Sequence, residues 1–135
     1  MGLDNGIVIR HKEGKPIFIP KKYYNSKYTI GDNLHYEVAY WRKCWGIRKA
    51  IIDTVLPEPG TYDSYDIALD EFDIKAIIKE LKKFTKQAYW DRYADSIWEY
   101  KEFVNNQRKI IRNLKFVYWY MKFDPQVHVY FYDSY

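Results

Sequence analysis

The chain has 135 residues, which is the length of one ordinary domain, and it can bury a sizeable core without metals or disulfides. Its single cysteine excludes an intramolecular disulfide, and no apolar run reaches the roughly 20 residues that a membrane-spanning helix needs. Twenty-two basic and 18 acidic residues give a formal charge of +4, which modestly favours anionic partners. We therefore expect a single domain over residues 1–135 that is cytoplasmic and has no membrane partner.

Aromatic residues are unusually abundant: 15 tyrosines, seven phenylalanines and five tryptophans make up 20% of the chain. A small core rarely needs so many rings, and tyrosine can bury its ring while its hydroxyl stays in water. Many of these rings are therefore expected at the core boundary, in a pocket or at an interface. A homodimer is the expected assembly, and a monomer with tyrosines spread over its surface is the alternative.

The first third of the chain predicts short extended segments. Gly6–Arg10 is rich in β-branched residues and follows a turn-forming Asp-Asn-Gly, so it predicts a strand. Ile17–Ile19 lies between two prolines, which restrict it to an edge or loop-like role. Residues 21–33 are polar and tyrosine-rich, and they predict an exposed connection.

A first helix is predicted over residues 37–56. Its apolar positions recur at spacings of four, three, four and four, which is helical periodicity. They are Tyr40, Cys44, Ile47, Ile51 and Val55. On this interpretation Cys44 is a small core residue, and Pro57, Pro59 and Gly60 stop the helix.

The second half of the chain gives clearer signals. Tyr65–Leu69 predicts a short strand, after which Asp70 can cap a second helix. The buried stripe of that helix is predicted at Ile74, Ile77, Ile78, Leu81 and Phe84. A long third helix is predicted over residues 96–122, followed by a strand over residues 127–132 that is covered on both faces. The fold class is therefore α+β, with a small mixed or antiparallel sheet of about three to four strands packed with three helices, the last one long.

The principal site hypothesis follows from the first predicted helix. Spacings of four residues would place Glu37, Trp41, Trp45 and Lys49 on one face. Two indoles beside cations can sandwich a planar ligand such as a nucleobase, while Arg42, Lys43 or Arg48 contacts a phosphate. The alternative is that both tryptophans pack under the long loop and the charges form local ion pairs.

A second hypothesis is nucleic-acid binding by the lysine face of the second helix. Its cations are Lys75, Lys79, Lys82, Lys83 and Lys86, and the third helix adds Arg108, Lys109, Arg112 and Lys115. A solvated face explains the same pattern equally well, and no helix-turn-helix turn, RNA-binding strand motif or zinc-finger ligand set accompanies it.

The sequence gives little support for catalysis. Its three histidines are scattered, and neither a nucleophile elbow nor a phosphate-binding glycine loop is present, so no metal and no cofactor is predicted. A small hydrolase or transferase with Asp4, Glu37 and Arg42 at the end of the first strand is the third hypothesis. Eighteen acidic residues make such convergences easy to imagine, so a non-enzymatic protein is the preferred expectation.

Two segments carry a family resemblance. The opening Met1-Gly2-Leu3-Asp4 and the later Glu37-x-x-Tyr40-Trp41-Arg42-Lys43, with an aromatic strand closing at Ser134-Tyr135, resemble a family of small uncharacterised phage and prophage proteins. Those proteins begin Met-Gly-Leu-Asp and carry Gly-Tyr-Trp-Arg-Lys-Ala-Asn. In this chain Ala39, Cys44 and Trp45 stand where the family has Gly, Ala and Asn.

The resemblance implies a phage or prophage protein in the cytoplasm of a bacterial host. Combined with the site hypothesis, it predicts a non-enzymatic binding protein that modulates a host process or defence. Its partner would be a nucleotide-like anionic ligand or a host protein, with nucleic acid as the alternative. The predicted ligand-binding residues are Asp4, Glu37, Trp41, Arg42, Trp45 and Arg48.

Overall fold

The computed structural model describes residues 4–24, 35–42, 45–55, 65–83 and 97–134. Within these ranges, side chains are described except at residues 4, 42, 45–47, 49, 65, 66, 97–106, 133 and 134.

Within the ranges that the structure describes, four antiparallel strands form one sheet in the order β2-β1-β4-β3. They are β1 (Asp4–His11), β2 (His35–Arg42), β3 (Tyr65–Leu69) and β4 (Val127–Ser134). The two central strands, β1 and β4, come from the two ends of the chain, so the sheet brings both termini of the fold together. The predicted strands at 6–10, 65–69 and 127–132 are confirmed.

In the described residues three α-helices accompany the sheet: α1 (Trp45–Val55), α2 (Glu71–Lys82) and α3 (Ile97–Phe123). A short 3-10 helix covers Lys21–Tyr23, within the predicted connection. As predicted, Asp70 caps α2: its carboxylate accepts a hydrogen bond from the Asp73 amide at 2.8 Å, and the Asp73 carboxylate accepts one from the Asp70 amide at 3.0 Å. The α+β class with a long last helix is therefore confirmed.

The core lies between one face of the sheet and the helices, since α3 packs against β2, α2 packs against β3 and α3, and α1 packs against α2. The sheet contributes alternate positions, because successive side chains of a strand point to opposite faces. The fully buried side chains of this core include Ile7, Ile9 and Phe131 from the sheet, Ile74 and Ile77 from α2, and Leu114 and Val117 from α3.

One prediction is wrong. Residues 37–42, predicted as the start of a helix, belong to strand β2, and the helix itself begins at Trp45. Tyr40 therefore lies on a strand, opposite Gly6 of β1, and does not belong to a helical seam. The cause is pairing along the full length of β1, which outweighs an apolar spacing that also fits a helix.

A β-bulge in β2 explains why the strand pattern is hard to read. Ile7 pairs with Ala39 and Val8 with Glu37, so Val38 is an extra residue between two paired positions. The bulge breaks the alternation: it directs Ala39 to the helix-covered face with Ile7 and places Glu37 with Val8 on the opposite face. Asn113 of α3 donates a hydrogen bond to the Val38 carbonyl at 3.0 Å, so α3 satisfies the irregular backbone of the bulge.

The segment at Ile17–Ile19 has no regular secondary structure and lies outside the sheet, in keeping with its two flanking prolines. Ile17 and Ile19 are buried, while Phe18 is exposed. The buried hydroxyl of Tyr36 donates to the Ile17 carbonyl at 2.9 Å and ties this segment to β2. The predictions for Cys44, for Phe84 and Lys86, and for the helix stop at 57–60 lie outside the described residues.

Candidate binding surface

Trp41 is a core residue and not a surface indole. It lies on β2 opposite Asn5, only 3% of its surface is exposed, and it belongs to the cluster formed by the sheet and the helices. Its Nε1 has no hydrogen-bond acceptor within the described part of the chain. The predicted surface stripe of Glu37, Trp41, Trp45 and Lys49 at helical spacing is therefore wrong, because its first two members are on a strand.

Glu37 has a structural partner. It is 6% exposed and accepts a hydrogen bond from the Tyr132 hydroxyl at 2.5 Å. Tyr132 reaches it from β4 by lying across Gly6 of β1, since a Cβ added at Gly6 would meet the Tyr132 ring at 2.8 Å. The contact joins three strands on the face opposite the helices, and this arrangement covers the carboxylate proposed as a ligand group.

The remaining predicted site residues are only partly brought together. Asp4 and Arg42 are register partners at the end of the β1–β2 pair. Glu37 pairs with Val8, which is four residues further along β1 and therefore about 13 Å from Asp4. Trp45 begins α1, and Arg48 follows on the same helix as a half-buried residue. The side chains of Asp4, Arg42 and Trp45 lie outside the described residues.

The outer face of α2 is basic, as predicted. Lys75, Lys79 and Lys82 are all exposed, and with Phe72 they line a groove of about 460 Å³ that we call the α2 groove. Phe72 is itself largely exposed. The opposite side of α2 is the buried isoleucine and leucine stripe that the sequence predicts. The lysines therefore face outward.

A second groove of about 510 Å³ follows α3, and we call it the α3 groove. Its lining residues on the helix occupy positions i, i+3, i+4, i+7, i+8 and i+11, which form one helical face. They are Arg108, Ile111, Arg112, Lys115, Phe116 and Trp119, and Tyr23 completes the wall. Trp119 is 59% exposed, and Arg108, Arg112 and Lys115 lie on the same helical face, of which Lys115 is one turn away from it.

The wall of the α3 groove is fixed by contacts from the 3-10 helix. Tyr23 stacks on Phe116 with ring centroids 4.2 Å apart and planes only 5° from parallel. Arg112 donates a hydrogen bond to the Lys22 carbonyl at 2.5 Å and lies 5.7 Å from the centre of the Tyr23 ring. These contacts hold a guanidinium and two rings in place before any ligand arrives.

The two grooves meet at a pair of lysines. Lys82 of the α2 groove neighbours Lys115 of the α3 groove, and Lys115 lowers the pKa of Lys82, first through a side-chain hydrogen bond that only the neutral Lys82 amine can accept and then through charge repulsion. Within the described residues neither lysine forms an ion pair, and the lining of both grooves contains no carboxylate. We call the six cations Lys75, Lys79, Lys82, Arg108, Arg112 and Lys115 the basic surface.

The sequence predicts the cations of the basic surface but not the role of the aromatic residues in the α3 groove. Trp119 has a signal in the sequence, because its spacing of four from Lys115 and seven from Arg112 places it on their helical face. The part played by Tyr23 has no local signal, because it depends on a contact with Phe116 across 93 residues of sequence.

Comparison with protein-family models, with curated proteins and with solved structures finds no match for this chain. The resemblance to phage and prophage proteins therefore stays a prediction. Among the described residues, no group of three or more His, Cys, Asp or Glu side chains is placed to hold a metal ion. In the same ranges, no helix is both long and apolar enough to cross a membrane.

Proposed function

We propose that this protein is a non-enzymatic binding protein whose partner is a nucleic acid, held through the basic surface. The observation that carries the proposal is the composition of the two groove linings, which among the described residues contain six exposed cations and no carboxylate. Neighbouring cations repel each other, and a phosphate bound between two of them is attracted to both. These attractions offset the repulsion.

The arrangement favours a polyanion over a single small anion. The six cations are distributed over two helices and two grooves of about 460 and 510 Å³, so one phosphate group cannot contact them all. A backbone with a phosphate at every nucleotide can contact several of them together. The nucleotide-like ligand predicted at Trp41 has less support, because that indole is buried in the core.

The phage or prophage origin implied by the resemblance is part of the same proposal and supplies a setting. In a bacterial host, a protein of this kind would act on host or phage nucleic acid by occupying it. That role requires affinity and no catalytic group.

The proposal is tested by fluorescence anisotropy with labelled oligonucleotides over a range of salt concentrations. Released counterions make the logarithm of the binding constant fall linearly with the logarithm of salt, with a slope near −0.7 per contact for single strands and −0.9 for duplex. If all six cations contact phosphates, the slope is about −4 for single strands and about −5 for duplex.

Charge-neutralising variants localise the contact. Lys79→Gln and Lys115→Gln should each weaken binding and reduce the steepness of the slope by about 0.7–0.9. Lys12→Gln is the matched control, since Lys12 is an equally exposed lysine that lies outside the basic surface. A flat salt dependence, an absence of binding at low salt, or equal losses in all three variants would contradict the proposal.

A further inference from the structure

Trp119 is a feature of the α3 groove that charge does not explain. An indole with 59% of its surface exposed is costly in water, yet it lies on the same helical face as three cations. Phosphate binding alone needs no ring at this position. A nucleobase, by contrast, offers a flat face on which an indole can stack.

The indole is held in a defined place. Tyr118 contacts it edge-on with centroids 6.3 Å apart, and the Lys122 ammonium lies 5.7 Å from its ring centre and 4.6 Å from that of Tyr118. On the groove side, Lys115 is one helical turn away and Phe116 lines the same wall. A base that stacks on Trp119 would therefore have its phosphate within reach of cations already in place.

The flanks of α3 argue against insertion into a duplex. An α-helix with its side chains is about 10–12 Å across and only just fits a major groove about 12 Å wide. Here α3 is flanked on one side by the 3-10 helix, through the Tyr23–Phe116 stack, and on the other by α2, whose Leu81 carbonyl accepts a hydrogen bond from the Gln107 side chain at 2.7 Å. The exposed face of α3 is therefore the floor of a wider surface and not a free-standing ridge.

From these observations we infer that the α3 groove selects single-stranded nucleic acid over duplex, with Trp119 stacking on an unpaired base and Arg108, Arg112 and Lys115 contacting the adjoining phosphates. The inference rests on the proposed function and adds the substrate class to it. In a duplex, the faces of the bases are already stacked on each other, so Trp119 has nothing to stack on. Duplex would then bind only through its charge.

The test compares one labelled 12-nucleotide strand with the same strand annealed to its complement, by anisotropy and by quenching of tryptophan fluorescence. The single strand should bind more tightly. Trp119→Ala should weaken single-strand binding by roughly 5- to 150-fold, the range that corresponds to the loss of one base stack. The Trp119→Ala variant should bind duplex with the wild-type affinity and should keep the wild-type salt slope.

Two further variants complete the design. Trp119→Phe keeps an aromatic face and should recover part of the lost affinity. Phe123→Ala is the matched control, since Phe123 is 84% exposed on the same helix and does not line the groove. Thermal unfolding of each variant checks that it is folded.

The outcomes separate the two proposals. Duplex binding as tight as single-strand binding, or an equal loss of both in Trp119→Ala, would overturn the single-strand inference and leave the proposed function standing. Binding of neither form, or binding without salt dependence, would overturn the proposed function itself and the inference with it.

Discussion

Gly6 occupies a position in the sheet that has no room for a side chain. It is buried in the central strand β1, directly opposite Tyr40 of β2 and Tyr132 of β4. A Cβ built there would lie 2.5 Å from the Ala39 carbonyl oxygen and 2.8 Å from the Tyr132 ring. We therefore expect Gly6→Ala to destabilise the fold strongly, although it adds only one carbon atom.

The magnitude follows from two costs. Forcing a carbon into a packed site costs about 1–3 kcal/mol, and the Ala39 oxygen belongs to the backbone, so no side-chain rotation relieves that contact. Displacing Tyr132 also breaks its hydrogen bond to the buried Glu37 carboxylate, and a bond to a charged group contributes about 1.5–3 kcal/mol. The expected loss in the free energy of unfolding is roughly 3–5 kcal/mol, or about 10–20 °C in Tm for a chain of this size.

Urea unfolding followed by tryptophan fluorescence measures this loss. Gly14→Asn is the matched glycine control, because Gly14 has a φ of +74° that asparagine tolerates, and no atom lies within 4 Å of the position that its Cβ would take. This control should change stability by less than about 1 kcal/mol. Tyr132→Phe removes only the hydrogen bond and should cost about 1.5–3 kcal/mol. A Gly6→Ala variant within about 1 kcal/mol of the wild type would refute the assigned strand register and the structural role of Glu37.

Three further substitutions test other parts of the structure by thermal or urea unfolding. Asp70→Ala should cost about 1 kcal/mol by removing the cap of α2, and an unchanged stability would contradict the observed capping box. Asn113→Leu should cost about 1–3 kcal/mol, because the bulged carbonyl of β2 loses its donor. Lys82→Met should raise the Tm by removing repulsion from Lys115, while weakening nucleic-acid binding. Since the pKa of Lys82 is lowered in the folded state, this gain should be full at neutral pH and shrink as the pH rises through that lowered pKa.

The second half of the fold could be predicted because its signals are local. Asp70 and Asp73 form a capping box three residues apart, and the four buried positions of α2 recur at helical spacing within eight residues. Tyr65–Leu69 is short, β-forming and followed at once by the helix cap. Each of these features is determined by residues that are neighbours in the sequence.

Strand β2 could not be predicted because its determinants are distant. The spacing from Tyr40 to Val55 fits a helix, and the bulge at Val38 interrupts the alternation that would mark a strand. What decides the conformation is pairing with β1 about 30 residues earlier, together with the hydrogen bond from Asn113, which is 75 residues away. Neither contact has a signature in the segment itself.

Contacts between distant parts of the chain also decide the environments of Trp41 and Trp119, the two tryptophans on which the functional hypotheses depend. Trp41 is conspicuous in sequence because cations follow it, but pairing with Asn5 on the helix-covered face of the sheet buries it. Trp119 is inconspicuous within a long helix, but it lies on the face of α3 that carries Arg112 and Lys115 and points away from the buried Leu114 and Val117. An aromatic residue beside a cation therefore indicates a binding site only when the fold leaves both on one exposed face. By that criterion the proposed binding surface lies on α2 and α3, where the cations and Trp119 are exposed together.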